Sequence, residues 1–320
     1  MGRGWALEDG RLVEAEGAAE ACVEVMGADD LVGRLEGARE REALAQLEHA
    51  AIPFVERTAD LAAGVVVLPT GTRPASQARR VAFVLRRDRL LLADDDGLCV
   101  PVLGRLAEVG LALDTPAAVL VALLRAPLRD HPAKLSRVRD DLERLEERIL
   151  GGRERVDRAL MMADTRRLLG LDAFYQGMSD LADDLAEEGW EVVDARDRLR
   201  LRQISRQLDR LSVRLESLQD YALQVHGLYQ ESIGVRQNDV MQWLTVVATI
   251  AMPLTVVTGW YGMNFPHMAA LGAPWGYPLV ATLCAAVVAC EVVVFRRRGW
   301  LRFGSPRGRD ARRGPRGGRA

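Results

Sequence analysis

Two apolar runs near the end of this 320-residue chain constrain its fold more than any other feature. They extend from Met241 to Trp260 and from Tyr277 to Phe295, with a short segment between them. Each run approaches the roughly 20 residues that a helix needs to cross the hydrocarbon core of a bilayer. The sequence therefore predicts two transmembrane helices, 241–261 and 277–295, joined by an extracellular loop over 262–276.

The charge distribution predicts how these helices are oriented. The formal net charge is −2, but the segment from Arg296 onward contains ten arginines and a single acid, Asp310. Basic residues next to a membrane segment stay on the cytoplasmic side. We therefore expect a basic, disordered cytosolic tail over 296–320. Two crossings of the plasma membrane then place both termini in the cytoplasm, and the start of the chain has no apolar run typical of a cleavable signal.

The region before the membrane predicts an α+β cytosolic domain over 1–130, a small sheet with flanking helices. Short apolar runs separated by Pro, Gly and Asp predict strands. They lie at 64–68, 81–85, 90–92 and 98–102. Residues 1–60, rich in Ala, Glu and Gly, are expected to form short helices. The acidic cluster Asp94, Asp95 and Asp96 predicts a solvated turn, and the alternative is a group of regulatory metal ligands.

From Thr115 onward the spacing of apolar residues predicts helices. A helical hairpin region is expected over 131–190, followed by a long stalk helix over 191–240 that continues into the membrane. The stalk carries an apolar seam with the three- and four-residue steps of a coiled coil. Its members are Leu201, Ile204, Leu208, Leu211, Leu215, Leu218, Ala222 and Val225. At 1.5 Å per residue the whole helix would be about 100 Å long, too long for the core of a compact monomer.

One stripe of the first predicted transmembrane helix differs from its other faces. On a helical wheel, seven residues fall within about a third of the circumference. They are Asn238, Met241, Leu244, Ala248, Met252, Thr255 and Gly259. Several copies around an axis would form a conduit with polar rings near both ends and an apolar constriction that can gate ions by dewetting. The alternative, supported equally by the wheel, is that these are ordinary helix-packing residues.

The tripeptide Gly262-Met263-Asn264 follows where this helix is expected to end. Mg²⁺ releases its water reluctantly and prefers hard oxygen ligands, so a ring of Asn264 amides can bind the ion through its water shell. Gly262 would let the backbone turn sharply at the end of the helix. The placement of this tripeptide between two membrane segments predicts the mouth of an ion pathway.

The stretch from Asn238 to Phe265 closely resembles the CorA magnesium-transporter family. The resemblance continues through residues 275–278 and 296–301, and more weakly covers about 61–150. It implies a funnel-shaped homopentamer that carries Mg²⁺ into the cell, often with Co²⁺ and Ni²⁺. It also implies that Gly262, Met263 and Asn264 form the selectivity filter and that the stripe from Asn238 to Thr255 lines the pore.

The chain departs from the family pattern at two places. The segment from Phe265 to Gly276 contains no acid, so a ring of loop carboxylates that attracts cations is not expected. In some members, aspartates bridged by a cytosolic divalent ion sense Mg²⁺ and close the channel. The matching stalk position is Gln203 in basic surroundings, which leaves the cluster Asp94–Asp96 as the candidate regulatory ligand group.

Three functions are compatible with the sequence. The first is a passive Mg²⁺ channel, the second a proton-coupled Zn²⁺ transporter of the same superfamily, and the third a membrane-anchored scaffold that conducts nothing. The sequence has no nucleophile–base pair or phosphate-binding loop, so neither an enzyme nor a cofactor is expected. The arginine-rich tail is expected to touch anionic lipid in the bilayer, because no folded module presents it to nucleic acid.

Overall fold

The computed structural model describes residues 3–15, 20–35, 50–69, 79–151, 158–263, 275–298 and 300. The chain divides into two compact units. The first consists of residues 1–145 and 155–226, and the second consists of residues 146–154 and 227–320. The tail beyond Trp300 and the loop over 264–274 lie outside the described residues.

A seven-stranded mixed sheet lies at the centre of the first unit. Its strands are β1 (Arg3–Glu8), β2 (Arg11–Glu14), β3 (Val23–Met26), β4 (Phe54–Arg57), β5 (Leu61–Leu68), β6 (Arg79–Arg86) and β7 (Leu90–Ala93). Their spatial order is β2-β1-β3-β7-β6-β5-β4. β3 and β7 are parallel, and the other neighbouring pairs are antiparallel. The predicted sheet is therefore confirmed, and it is larger than the sequence indicated.

The expectation of helices before residue 27 was wrong, because this segment forms β1, β2 and β3. Asp9 and Gly10 connect the first two strands as a two-residue hairpin, with φ values of 48° and 71°. Positive φ at both central residues is the signature of a type I′ turn, for which Asp-Gly is a favoured sequence. Trp5 and Leu12 on the flanking strands are both buried. The Asp-Gly pair between alternating apolar residues was the local signal for this hairpin.

Strand β5 shows how the sheet separates two apolar cores. Ala62 and Val66 belong to a large core shared with the helices, whereas Ala63, Val65 and Val67 belong to a smaller core on the opposite face. Since successive side chains of a strand point to opposite faces, a strand covered on both sides reads as one continuous apolar run. This explains why β5 was recognisable from the sequence alone.

The helices follow and flank the sheet. They are α1 (Ala28–Arg34), α2 (Cys99–Val109), α3 (Pro116–Arg125), α4 (His131–Gly151), α5 (Arg158–Leu185), α6 (Ala195–Tyr261) and α7 (Gly276–Arg297), with a short 3₁₀ helix at Pro127–Asp130. The hydroxyl of Thr115 accepts a hydrogen bond from the backbone N–H of Ala118 at 3.0 Å and donates one to Asp197 at 2.6 Å. This N-cap also links the start of α3 to the start of α6.

The strand expected over 98–102 was wrong, because these residues enter helix α2. The β-branched Val100 and Val102 favour a strand locally. However, Cys99 and Leu103 are buried and Leu106 packs against the same core, which is the spacing of a helix face. The carboxylate of Asp94 accepts a hydrogen bond from the Cys99 N–H at 2.5 Å and so satisfies one free donor at the helix start.

Helix α6 carries the predicted apolar seam in its first half. Leu201, Leu208 and Leu215 are at most 1% exposed, and the seam belongs to the large core together with Met178 and Leu181 of α5. Polar contacts between the same helices add to this packing, since Ser205 donates to Asp183 at 3.1 Å. The seam is confirmed, and α6 continues without interruption for 67 residues.

Gly64 provides a test of the packing between β5 and its neighbours. A Cβ at this position would lie 2.5 Å from the ring of Phe83 and 2.8 Å from the carbonyl oxygen of Phe54. We expect Gly64→Ala to lower the thermal midpoint of the purified protein by several degrees, because overpacking costs about 1–3 kcal/mol. Gly104→Ala in α2 is the matched control, since its Cβ would meet nothing within 4 Å. Equal midpoints for the two variants would contradict this packing.

His131 makes the stability of the first unit sensitive to acid. Burial, with a smaller effect of Lys134, lowers the pKa of His131 from 6.5 to about 4. Nδ1 of His131 shares a hydrogen bond of 2.9 Å with the hydroxyl of Tyr175. Between these pH values the unfolded chain binds a proton that the folded chain does not, so stability falls as the pH falls from 6.5 to 4. The loss approaches about 3 kcal/mol.

Thermal unfolding between pH 7 and pH 4.5 measures this effect. His131→Asn retains a hydrogen-bonding group near Nδ1 without titrating, so its midpoint should fall less on acidification than that of the wild type. Tyr175→Phe keeps the histidine and should retain the steep acid dependence. Parallel curves for the wild type and His131→Asn would show that His131 is not the responsible group.

Candidate functional site

The membrane-length part of α6 has one face that is less exposed than the rest. The less exposed residues are Gln242, Val246, Ile250, Pro253, Leu254, Val257 and Tyr261. Val246 is the most buried of them, at 5% exposure. At about 100° per residue, these positions fall on one side of the helix. This side of the segment is therefore partly covered by the chain itself.

Helix α7 shows the same division. Its less exposed residues are Gly276, Val280, Cys284, Val287, Val288, Glu291 and Phe295. They also form a single stripe at helical spacing. Apart from α6 and the end of α4, α7 is the only helix among the described residues of the second unit. Both membrane-length segments therefore have one partly covered side and one exposed side.

The seven-residue stripe predicted from the sequence lies on the opposite side of α6. Its centre is about half a turn from the centre of the covered face at about 100° per residue. All seven of its residues are exposed. The bulky members Met241, Leu244 and Met252 are 65%, 66% and 71% exposed. Within one chain, no described residue packs against this stripe, so it is free to meet other copies, lipid or water.

Thr255, a member of the stripe, offers only hydrogen-bond acceptors to its surroundings. Its hydroxyl donates to the carbonyl oxygen of Ala251 at 2.8 Å, a bond within the same helix. A threonine that back-bonds in this way has used its single proton, so the remaining lone pairs of the oxygen point away from the backbone. Water molecules bound to a cation point their hydrogens outward. The position is therefore suited to contact a hydrated cation.

The predicted filter begins at the last turn of α6. The Gly262 N–H donates to the carbonyl of Thr258 at 2.9 Å, and the Met263 N–H donates to Trp260 at 3.3 Å. Gly262 does not adopt a positive φ, so the expected sharp glycine turn is not the reason for this residue. Instead, a Cβ would lie 3.0 Å from the Thr258 carbonyl oxygen. Asn264, the predicted ligand of the hydrated ion, lies outside the described residues.

The acidic cluster after β7 has a structural role. Asp94 accepts from the first residue of α2, and Oδ1 of Asp95 accepts from the N–H of Ala28, the first residue of α1, at 3.1 Å. Each carboxylate thus satisfies a helix N-terminus, where negative charge is favourable. Within the described residues, no three His, Cys, Asp or Glu side chains are placed together to hold a metal ion. The predicted solvated turn is confirmed at Asp95 and Asp96, which are exposed, whereas Asp94 is buried. Among the residues that the structure describes, the three carboxylates are not gathered as a ligand group.

Exposed aromatic residues mark both ends of the membrane-length helices. Trp243 and Trp260 on α6 are separated by 17 residues, or about 26 Å of helix. Trp275 and Tyr277 lie at the start of α7. Trp and Tyr are enriched where a helix passes between hydrocarbon and water. This aromatic spacing is a signal that our sequence analysis did not use, and it matches the thickness of a bilayer core of about 30 Å.

Both helices contain segments that are long and apolar enough to cross a membrane. Together with the soluble sheet-and-helix unit, they define a two-span membrane protein with a large α+β domain. A solved structure titled as the complete CorA magnesium transporter from Methanocaldococcus jannaschii has the same fold. The TM-score is 0.73 at 18% identity, covering 94% of this chain and 99% of that one.

Sequence comparison identifies the family. The model of the CorA-like Mg²⁺ transporter protein family matches residues 40–297, and the chain belongs to this family. A magnesium transport protein CorA from Mannheimia succiniciproducens is 32% identical over 235 residues, covering 69% of this chain and 71% of the relative. A cobalt/magnesium transport protein CorA from Thermotoga maritima is 28% identical, and there the chain spans about half of the relative, 52% of its length.

Cysteine reactivity can test which face of α6 meets water. In a background without the native Cys22, Cys99, Cys284 and Cys290, we expect Ala248→Cys on the stripe to react with a small cationic thiol reagent. The reaction should be at least about tenfold faster than that of Ile250→Cys on the covered face, because only a hydrated thiol ionises readily. The measurement is the modification rate of the protein in liposomes.

The two positions differ by two residues, so depth in the bilayer is nearly matched. Equal and slow rates would place the stripe against lipid rather than water.

Proposed function

We propose that this protein carries Mg²⁺ into the cell through a channel that copies of α6 line together. The observation that supports this most directly is the stripe of α6. It combines polar groups near both ends with exposed methionine and leucine side chains, and it lies opposite the face that its own chain covers. Such a helix is covered on one side and carries polar groups near both ends of its opposite side. It is therefore suited to form the wall of a water-filled pathway.

The chemistry of the stripe favours a hydrated divalent cation. Asn238, Thr255 and Asn264 offer neutral oxygens and no carboxylate, so they can accept hydrogen bonds from the ion's water without removing it. Mg²⁺ holds its water shell tightly, which makes this mode of contact suitable for rapid passage. Between the polar ends, Met241 and Leu244 would form an apolar constriction that closes the pathway by dewetting.

Such a pathway requires several copies of the chain. One stripe covers about a third of a helix and cannot enclose water by itself. Identical copies around one axis would bring each stripe to the centre, and the covered face would turn toward α7 outside it. We propose five copies, the number implied by the resemblance to the family, and a funnel-shaped assembly.

We propose that the protein resides in the plasma membrane with both termini in the cytoplasm. Arg296, Arg297 and Arg298 close α7, and basic residues next to a span remain on the cytoplasmic side. An inside-negative membrane potential then drives a divalent cation inward, at about 2.3 kcal/mol per charge for each 100 mV. We expect no catalytic activity and no resident cofactor, and we expect anionic lipid to contact the basic end of the chain.

Cobalt is a second proposed cargo, because a relative carries cobalt in its name. Ni²⁺ would follow by its similar hydration. Zn²⁺ prefers nitrogen and sulfur ligands, and the stripe contains neither His nor Cys. These ligand preferences favour Mg²⁺ over the zinc alternative.

Ion flux into liposomes tests this function. We expect the purified protein to admit Mg²⁺ when the potential is negative inside, and Asn264→Ala to reduce the rate by at least about tenfold, since each lost acceptor ring weakens ion binding by about 1–2 kcal/mol. Gln242→Ala is the matched control, because it also removes a side-chain amide, but at a position on the covered face of α6. Its flux should remain near the wild-type value.

The same assay separates the alternatives. Flux of Zn²⁺ that exceeds that of Mg²⁺ and depends on a proton gradient would support the zinc transporter. No flux of any divalent ion from folded, oligomeric protein would support the scaffold. Equal loss in Asn264→Ala and Gln242→Ala would argue against a specific role of the filter amide.

A further inference from the structure

A cavity of about 940 Å³ lies in the first unit, and no residue of the membrane-length segments lines it. Its floor is the sheet, through Val66, Val81 and Leu92. Helices α2 and α3 form its walls, and the start of α6 closes one side through Ile204. The volume lies in the range of about 300–1,000 Å³ that is typical of small-molecule sites. Neither the proposed pathway nor the packing of the cores assigns a function to this space.

The apolar part of the lining is aliphatic. It consists of Val, Leu, Ile, Ala, Pro and Cys side chains, and the described lining residues include no aromatic ring. A nucleobase or another flat ring would find no stacking partner in such a site. An alkyl chain, by contrast, is stabilised by burial against any aliphatic surface.

The polar part of the lining is basic. Arg105 of α2, Arg125 of α3 and Arg129 of the 3₁₀ helix border the cavity. All three are exposed, and their guanidinium groups form no hydrogen bond or ion pair with a residue that the structure describes. The described lining contains no Asp or Glu that could neutralise them.

The fourth lining arginine is already paired. Arg200 contacts the buried carboxylate of Asp197 at 2.8 Å, so its charge is compensated within the protein. The three other guanidinium groups therefore remain available for an external anion. Planar guanidinium groups bind carboxylate and phosphate well, often through two parallel hydrogen bonds.

We propose that this cavity binds a single-chain aliphatic anion, with an alkyl chain in the cavity and a phosphate or carboxylate head at Arg105, Arg125 and Arg129. Each half of the lining selects one half of such a molecule. The aliphatic walls exclude ring compounds, and the unpaired arginines exclude cations and neutral lipids.

The position of Gln203 fits this proposal. Gln203 and Gln207 line the cavity at the side formed by α6. Three arginines with no acid among the described lining residues repel a divalent cation. This part of α6 is therefore suited to bind an anion. The side-chain amides of Gln203 and Gln207 can donate further hydrogen bonds to the head group of that anion.

Equilibrium binding to the full-length protein in phosphatidylcholine nanodiscs tests the proposal. The probes are octyl phosphate and octanoate, with octanol as the chain without charge and inorganic phosphate as the charge without chain. Empty nanodiscs give the amount that partitions into lipid. We expect saturable binding of octyl phosphate, octanoate or both, at least about tenfold tighter than either control probe. Whichever binds more tightly identifies the head group.

Two variants assign the binding to the cavity. Arg105→Gln combined with Arg125→Gln should weaken binding by at least about tenfold, because two charged donors are lost. Ala122→Phe keeps the charges but fills the aliphatic part, and should also weaken binding of the chain. Arg210→Gln is the matched control, an exposed arginine of α6 outside the lining, and should bind as the wild type does.

Several results would overturn the proposal. One is that no probe binds saturably, as expected if a neighbouring copy fills the cavity. Another is that octanol binds as tightly as the anionic probes. A third is that inorganic phosphate binds as tightly as octyl phosphate. Unchanged affinity in the folded Arg105→Gln/Arg125→Gln variant would also do so. Because the readout is binding and not flux, this test is independent of the proposed transport function.

Discussion

The packing of one face of α6 in the membrane-length segment determines how the rest of that helix can be used. Val246 and its neighbours on the same side are covered by the chain itself. In a bilayer the hydrophobic effect does not drive helices to bury apolar side chains, because the lipid tails are equally apolar. The opposite side therefore remains available, and on this side the sequence places Asn238, Thr255 and Gly259 among large apolar residues. The function we propose depends on this division.

The first unit rests on a different constraint, the need to satisfy helix ends near a buried sheet. Asp94 and Asp95 leave β7 and accept from the first N–H groups of α2 and α1. Thr115 does the same for α3 and adds a bond to the start of α6. Short polar side chains thus fix four helix starts relative to the sheet. Asp94 and Asp95 therefore have a structural role at these helix starts.

The sequence predicted those features that depend on local periodicity. The apolar runs of α6 and α7, the seam from Leu201 to Val225 and the continuous run of β5 each repeat at the spacing of their own element. One missed feature, the hairpin at Asp9-Gly10, has a local signal, whereas other missed features depend on distant partners. β3 is a strand of only four residues, and it pairs in parallel with β7, more than 60 residues later. Asp95 contacts Ala28, 67 positions away, and no local pattern could reveal this contact.

In the pathway we propose, the hydroxyl of Thr255 would favour cations over anions. Its proton is held by the carbonyl of Ala251, so an approaching anion meets an oxygen that has no hydrogen to offer. The preference for positive charge then arises from the direction of a dipole and not from a formal charge. A group of this kind has no proton to lose or gain near neutrality, so its selectivity would be the same in acidic and alkaline surroundings.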